Sequence, residues 1–171
     1  MSRLYLLSLV YRLISILILG VAAGSLRPPD SWDSHIHVIE PEGQGYTPKA
    51  ATRWQGSSFH KSLGIKHGVI VLPSVYNHEN TVLLDAIRYF NGTYRGVCVL
   101  DLDSKIENST LDEYHAVGVG GIRLNYGNEG SDEEISATAT KAAMIALPRD
   151  TWEIHWYPTH HMENFVAYGV F

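Results

Sequence analysis

The chain has 171 residues, 45% of them hydrophobic and 18% charged, with a formal net charge of -5. That length carries one domain with a real core. The acidic balance, with no basic stripe, excludes nucleic acid as the expected partner. The single cysteine, Cys98, excludes both an intramolecular disulfide and a cysteine-based zinc site.

Leu4 to Ala23 is mostly apolar, with Arg3 before it, Arg12 inside it and small residues at its end. A basic start, an apolar middle and a small-residue end read as a secretory signal peptide. A membrane anchor is the second reading, against which Arg12 counts. An atypical extension before a soluble enzyme is the third. Residues 1–28 are therefore set apart from the fold, which is expected in residues 29–171. Retention of the segment would bring the chain to a membrane, cleavage would secrete it, and otherwise a cytoplasmic location is expected. Two sequons, Asn91-Gly92-Thr93 and Asn108-Ser109-Thr110, fit secretion.

Trp32 to Val38 reads as a strand. Alternation puts Asp33, His35 and His37 on one face and Ser34, Ile36 and Val38 on the other. Two imidazoles on one face at a strand end can hold a metal or the anionic head of a substrate. Glu40 and Glu42 follow in a loop and are expected to face water. His67 to Pro73 is a short continuous apolar run, suited to a strand buried on both faces. Asn80 to Phe90 has helical spacing of Val82, Leu83, Ala86, Ile87 and Phe90, and Asn91-Gly92 stops it. Gly96 to Leu102 is a third strand, with Cys98 as a small core residue.

Thr110 to Ala116 reads as a short helix and Gly118 to Leu124 as the fourth strand. Ser131-Asp132-Glu133-Glu134 opens a helix in capping-box style, and that helix runs to about Leu147. Thr151 to Tyr157 is the fifth strand. Strands alternating with helices mean βαβ units and a parallel sheet. Gly43-Gln44-Gly45 lacks a third glycine and a following helix, which disfavours a dinucleotide fold. Polar residues gather at strand C-termini: His35 and His37, Ser74 and Tyr76, Asp101 and Asp103, Arg123 and Asn125, His155 and Tyr157. A (β/α)8 barrel builds its active site there. Asp101 and Asp103 are expected to support their loop or a buried polar layer, and His160-His161 to be solvated.

Several spaced motifs carry a family resemblance. They are SWDSHIHVIEPE (Ser31 to Glu42), Tyr46-Thr47-Pro48, Leu72 to Asn80 with Leu83 to Ala86, Arg95-Gly96-Val97, and Gly118 to Asn125. Together they resemble the amidohydrolase-related (amidohydrolase 2) TIM-barrel hydrolases. Within them the chain is most similar to the 2-pyrone-4,6-dicarboxylate lactonase-like branch, which includes fungal metal-dependent hydrolases.

The resemblance implies an α/β fold, an incomplete (β/α)8 barrel of about five βα units, C-terminally truncated against a full barrel of about 250 residues. It implies a hydrolase acting on a lactone, ester or amide bond of a small carboxylate-bearing substrate. His35, His37, Tyr46, Ser74, Arg123 and Tyr157 match its substrate-contacting positions. His35 and His37 with His155 would be the ligands in a metal-dependent relative, zinc being the expected ion; the lactonase branch uses no metal. The family's general base lies on strand 8, so no catalytic residue is assigned. The alternative is a catalytically dead fragment, or a secreted or membrane-tethered binding module. Open sheet edges would also invite self-association.

Overall fold

The computed structural model describes residues 28, 30–41, 49–125, 131–149 and 151–156. The apolar segment before residue 28, the loop with Glu42 and Tyr46, and Tyr157, His160 and His161 lie outside the described residues. Among those described, no helix is long and apolar enough to cross a membrane.

Five parallel strands lie in sequential order in one curled sheet, a half-barrel. They are β1 (Trp32–Ile36), β2 (His67–Val71), β3 (Tyr94–Cys98), β4 (Val119–Leu124) and β5 (Glu153–Trp156). The crossover helices are α1 (Arg53–Leu63), α2 (Thr81–Tyr89), α3 (Asn108–Val117) and α4 (Asp132–Ala146). The expected α/β half-barrel is therefore present. The sheet's helix-side face makes the core: Ile70, Cys98, Ile122 and Leu124 pack with Leu83, Leu84 and Ile87 of α2, Leu111 of α3 and Ala142 of α4. Cys98 is fully buried there, as its apolar surroundings suggested. On the opposite face Val71 and Val97 lie side by side in register and are as buried as the core. Burial on both faces explains why β2 reads as a continuous apolar run.

Close helix–sheet contact depends on Gly96, where a Cβ would collide with Ile87 Cδ1 of α2. Helix α4 is capped as its sequence implies: Glu134 N–H donates to Ser131 Oγ and the Glu134 carboxylate accepts from Ser131 N–H.

Three features depart from the sequence reading. Helix α1 is not legible as an apolar stripe, because its one buried residue is His60 while Trp54 and Phe59 face outward. Its ends nonetheless carry signals: a Thr52/Gln55 capping box and Gly64 in the left-handed conformation at φ 71°. Strand β3 starts earlier than the apolar run and ends at Cys98. Beyond it, Val99 donates its N–H to Asn80 Oδ1 (3.1 Å), and Asn80 Nδ2 donates to Val99 O (2.8 Å). A side chain, not a neighbouring strand, takes that peptide. Finally, β1 does not alternate simply. Asp33 pairs with Gly68 and Ile36 with Ile70, so β1 carries one extra residue between them. Asp33 is thereby released from the histidine face.

Candidate functional site

The C-terminal ends of β1, β2, β4 and β5 bring four side chains together. His37 Nδ1 donates to Val71 O at the end of β2 (2.7 Å). A carbonyl only accepts, so this bond leaves His37 Nε2 as an acceptor when the ring is neutral. His35 Nε2 lies 3.4 Å from it, and the two rings meet edge-on with centroids 4.8 Å apart. His35 therefore donates through Nε2.

Arg123 of β4 reaches across to donate from Nη1 to Leu72 O (2.8 Å). Cross-strand pairing sets it beside His155 of β5. His155 stands on the same face as Gly121 and Val97: a Cβ on Gly121 would sit 3.3 Å from His155 Cδ2 and 3.4 Å from Val97 Cγ2. The ends of β2 thus anchor both the imidazole pair and the guanidinium.

Burial depresses the basicity of the group. It holds His35 below the usual imidazole value, helped by the charges of His37, Arg123 and His155. Burial likewise lowers His155 and Arg123. His35, whose charged form is opposed by burial and by its cation-forming neighbours, is a group whose protonation a nearby anion would relieve. Planar guanidinium suits a carboxylate.

Ser74 opens a short 3-10 turn (Ser74–Tyr76), is exposed, and its carbonyl accepts Asn77 N–H (3.1 Å). Tyr76, by contrast, is buried, and its hydroxyl accepts the Glu40 N–H (3.0 Å), tying the loop after β1 to that after β2. Glu40 does not face water as expected. Its side chain is 20% exposed and lies 3.7 Å from Arg53 of α1. Asp101 accepts from Asp103 N–H and Ser104 Oγ, supporting its turn as expected, while the Asp103 side chain pairs with Lys141 of α4. Two residues escaped sequence reading. His60 lies in an unrecognised helix, and Asn80 looked like an ordinary helix start.

The two facing Nε2 atoms are spaced nearly as two zinc-bound imidazoles would be, at about 3.3 Å for tetrahedral geometry. The set does not extend further. Among the described residues no group of three or more histidine, cysteine or carboxylate side chains is arranged to hold a metal.

No family model matches the chain. It is 30% identical over 117 residues to a 4-sulfomuconolactone hydrolase of Hydrogenophaga intermedia, covering 64% of this chain and 38% of that protein. It is 28% identical over 106 residues to a 2-pyrone-4,6-dicarboxylate hydrolase of Comamonas testosteroni, covering 58% and 34%. In structure it is similar to a Pseudomonas putida protein described as a 2-pyrone-4,6-dicarboxylic acid hydrolase. The TM-score there is 0.64 at 25% identity, over 76% of this chain and 49% of that one. An Acinetobacter baumannii chain of the same description, with citric acid bound, shares the fold at a TM-score of 0.59 and 21% identity, over 75% and 49%. The matched segment spans little more than a third of the curated relatives, 38% and 34% of their lengths. Sequence and fold together make this chain similar to the lactonase-like hydrolases of the amidohydrolase-related family.

Proposed function

We propose that this chain builds the carboxylate-binding half of a lactone hydrolase site of the amidohydrolase-related kind. The observation that carries the reading is the convergence of His35, His37 and Arg123 on the end of β2, through Val71 O and Leu72 O. In this reading Arg123 grips a substrate carboxylate and His35, its Nε2–H turned from His37 to the substrate, holds the lactone carbonyl oxygen, where negative charge develops as water attacks. Tyr46, Ser74 and Tyr157 would complete the pocket, and His155 would border it. The substrate is a small carboxylate-bearing lactone, the class named for the relatives.

Hydrolysis also needs a base for the attacking water. Asp33 is tied to His60, Glu40 to Arg53 and Asp101 to Ser104, so none is assigned that role. Those ties favour a second reading, a small-molecule binding module without turnover.

Calorimetric titration of the full chain with citrate and with 2-pyrone-4,6-dicarboxylate tests the binding half. Arg123→Ala should weaken both ligands about tenfold or more, the scale of a lost charged hydrogen bond. Unchanged affinity would refute the anchoring role. Chelator should leave binding intact; loss of binding with release of zinc would overturn the metal-free reading. Turnover of the pyrone by the same sample, abolished in His37→Ala, would separate hydrolase from binding module.

A further inference from the structure

Asp33 takes no part in gripping a ligand, yet its carboxylate is doubly tied beside the histidine pair. Oδ1 accepts the N–H of His35, two residues on (3.1 Å). Oδ2 accepts from Nε2–H of His60 on α1 (3.0 Å). His60 is 2% exposed, and its Nδ1 accepts the hydroxyl hydrogen of Tyr94, the first residue of β3 (2.5 Å). The chain of bonds runs from β3 through a buried helix histidine to β1.

It ends where β1 gains its extra residue. Three steps along β1, Asp33 to Ile36, span two along β2, Gly68 to Ile70. A bulge re-aims the side chains beyond it. A carboxylate that captures the N–H two residues ahead competes with the regular ladder and holds the backbone off it. The residue whose N–H is captured is His35 itself.

We propose that Asp33, oriented by His60 and Tyr94, is a positioning residue that holds the bulge of β1 and thereby aims His35 at His37. The consequence for ligand binding rests on the anion-site reading above; the structural half does not. Two acceptor oxygens are required at once, one for a backbone N–H and one for an imidazole N–H. Asparagine can imitate this in one way. Its Oδ1 still accepts from His35, while its Nδ2 donates to His60. His60 must then carry its hydrogen on Nδ1 and donate it to the Tyr94 hydroxyl, which can also accept.

The test is nitrogen-15 NMR of histidine tautomers in the full chain, with citrate titration of the same samples. Wild type should show His60 as the Nε2–H tautomer. D33A should move the His35 and His37 ring signals and weaken citrate about tenfold. D33N should rescue most of both losses and flip His60 to the Nδ1–H tautomer. His35 and His37 signals unmoved in D33A would overturn the positioning role. Signals moved with citrate affinity unchanged would support positioning and refute the anion-site reading. Where D33A fails to fold, D33N decides: a flipped His60 with an intact pair supports the proposal, and an unflipped His60 with a displaced pair sinks it.

Discussion

Asn80→Ala should cost about 3 kcal/mol, a large share of a domain's usual 5–15 kcal/mol, roughly speaking. Asn80 is 4% exposed and Val99 5%. The side chain donates to His78 O (3.0 Å) and Val99 O (2.8 Å) and accepts from Val99 N–H (3.1 Å). Alanine leaves both polar groups of the Val99 peptide without these partners. Each orphaned buried group costs about 1–3 kcal/mol. Asn80 also stands at the N-cap of α2, but its side chain makes no cap bond. Glu79 does that work instead, accepting from Thr81 N–H (3.0 Å).

The two possible roles of Asn80 thus separate cleanly. Aspartate is as good an N-cap as asparagine, yet in Asn80→Asp a second oxygen would face the carbonyls of Val99 and His78. Asn80→Asp should be at least as damaging as Asn80→Ala. Urea unfolding followed by circular dichroism measures both, with unchanged slopes required for the comparison. Wild-type stability in Asn80→Asp would mean that the core bonds contribute little and the reasoning fails.

Three further outcomes are expected. His35 and His155 sit below the ordinary imidazole value of 6.5, so the folded state resists their protonation and the unfolded chain takes the protons. Stability should therefore fall as pH drops below that value, and citrate should flatten the fall; thermal melts between about pH 5 and about pH 7.5 would show it, and a rise on acidification would refute it. The Cys98 thiol is fully buried and pushed up to about 12 by burial, so it should react with a disulfide reagent only as the chain unfolds. Rapid labelling of the native chain would place it elsewhere. Gly121→Ala would bring a Cβ within 2.9 Å of the Glu153 carbonyl, a backbone atom that cannot swing aside. It should cost about 2 kcal/mol, and an unchanged urea midpoint would show that β4 and β5 are less tightly joined than described.

Much of the frame was legible because it rests on local chemistry. Continuous apolar runs mark strands covered on both faces, as at β2, and the Ser131/Glu134 pair marks the start of α4. What escaped depends on partners far along the chain. Helix α1 buries a histidine rather than an apolar stripe, since His60 answers Asp33 and Tyr94. The apolar run of β3 outlasts the strand because Val99 is claimed by Asn80, nineteen positions earlier. Simple alternation placed Asp33 with the histidines, whereas the bulge sets it apart. At the site, the His35–His37 pair and Arg123 were readable from spacing and motif. Their shared anchorage on the end of β2 was not, since the carbonyls of Val71 and Leu72 have no side-chain signature.

The sequential strand order has a consequence for how the molecule comes into being. Among the described residues each strand pairs with its neighbours in the chain order. A chain emerging from the ribosome can therefore lay each new βα unit on an edge already formed, without waiting for a distant segment. The site is assembled on a later schedule. His37 finds its anchor as soon as β2 is made, but Arg123 reaches Leu72 across fifty-one residues of chain. Nascent chains halted before β4 should therefore own the imidazole pair and its scaffold while lacking the guanidinium, so that the cluster is completed only once β4 has emerged.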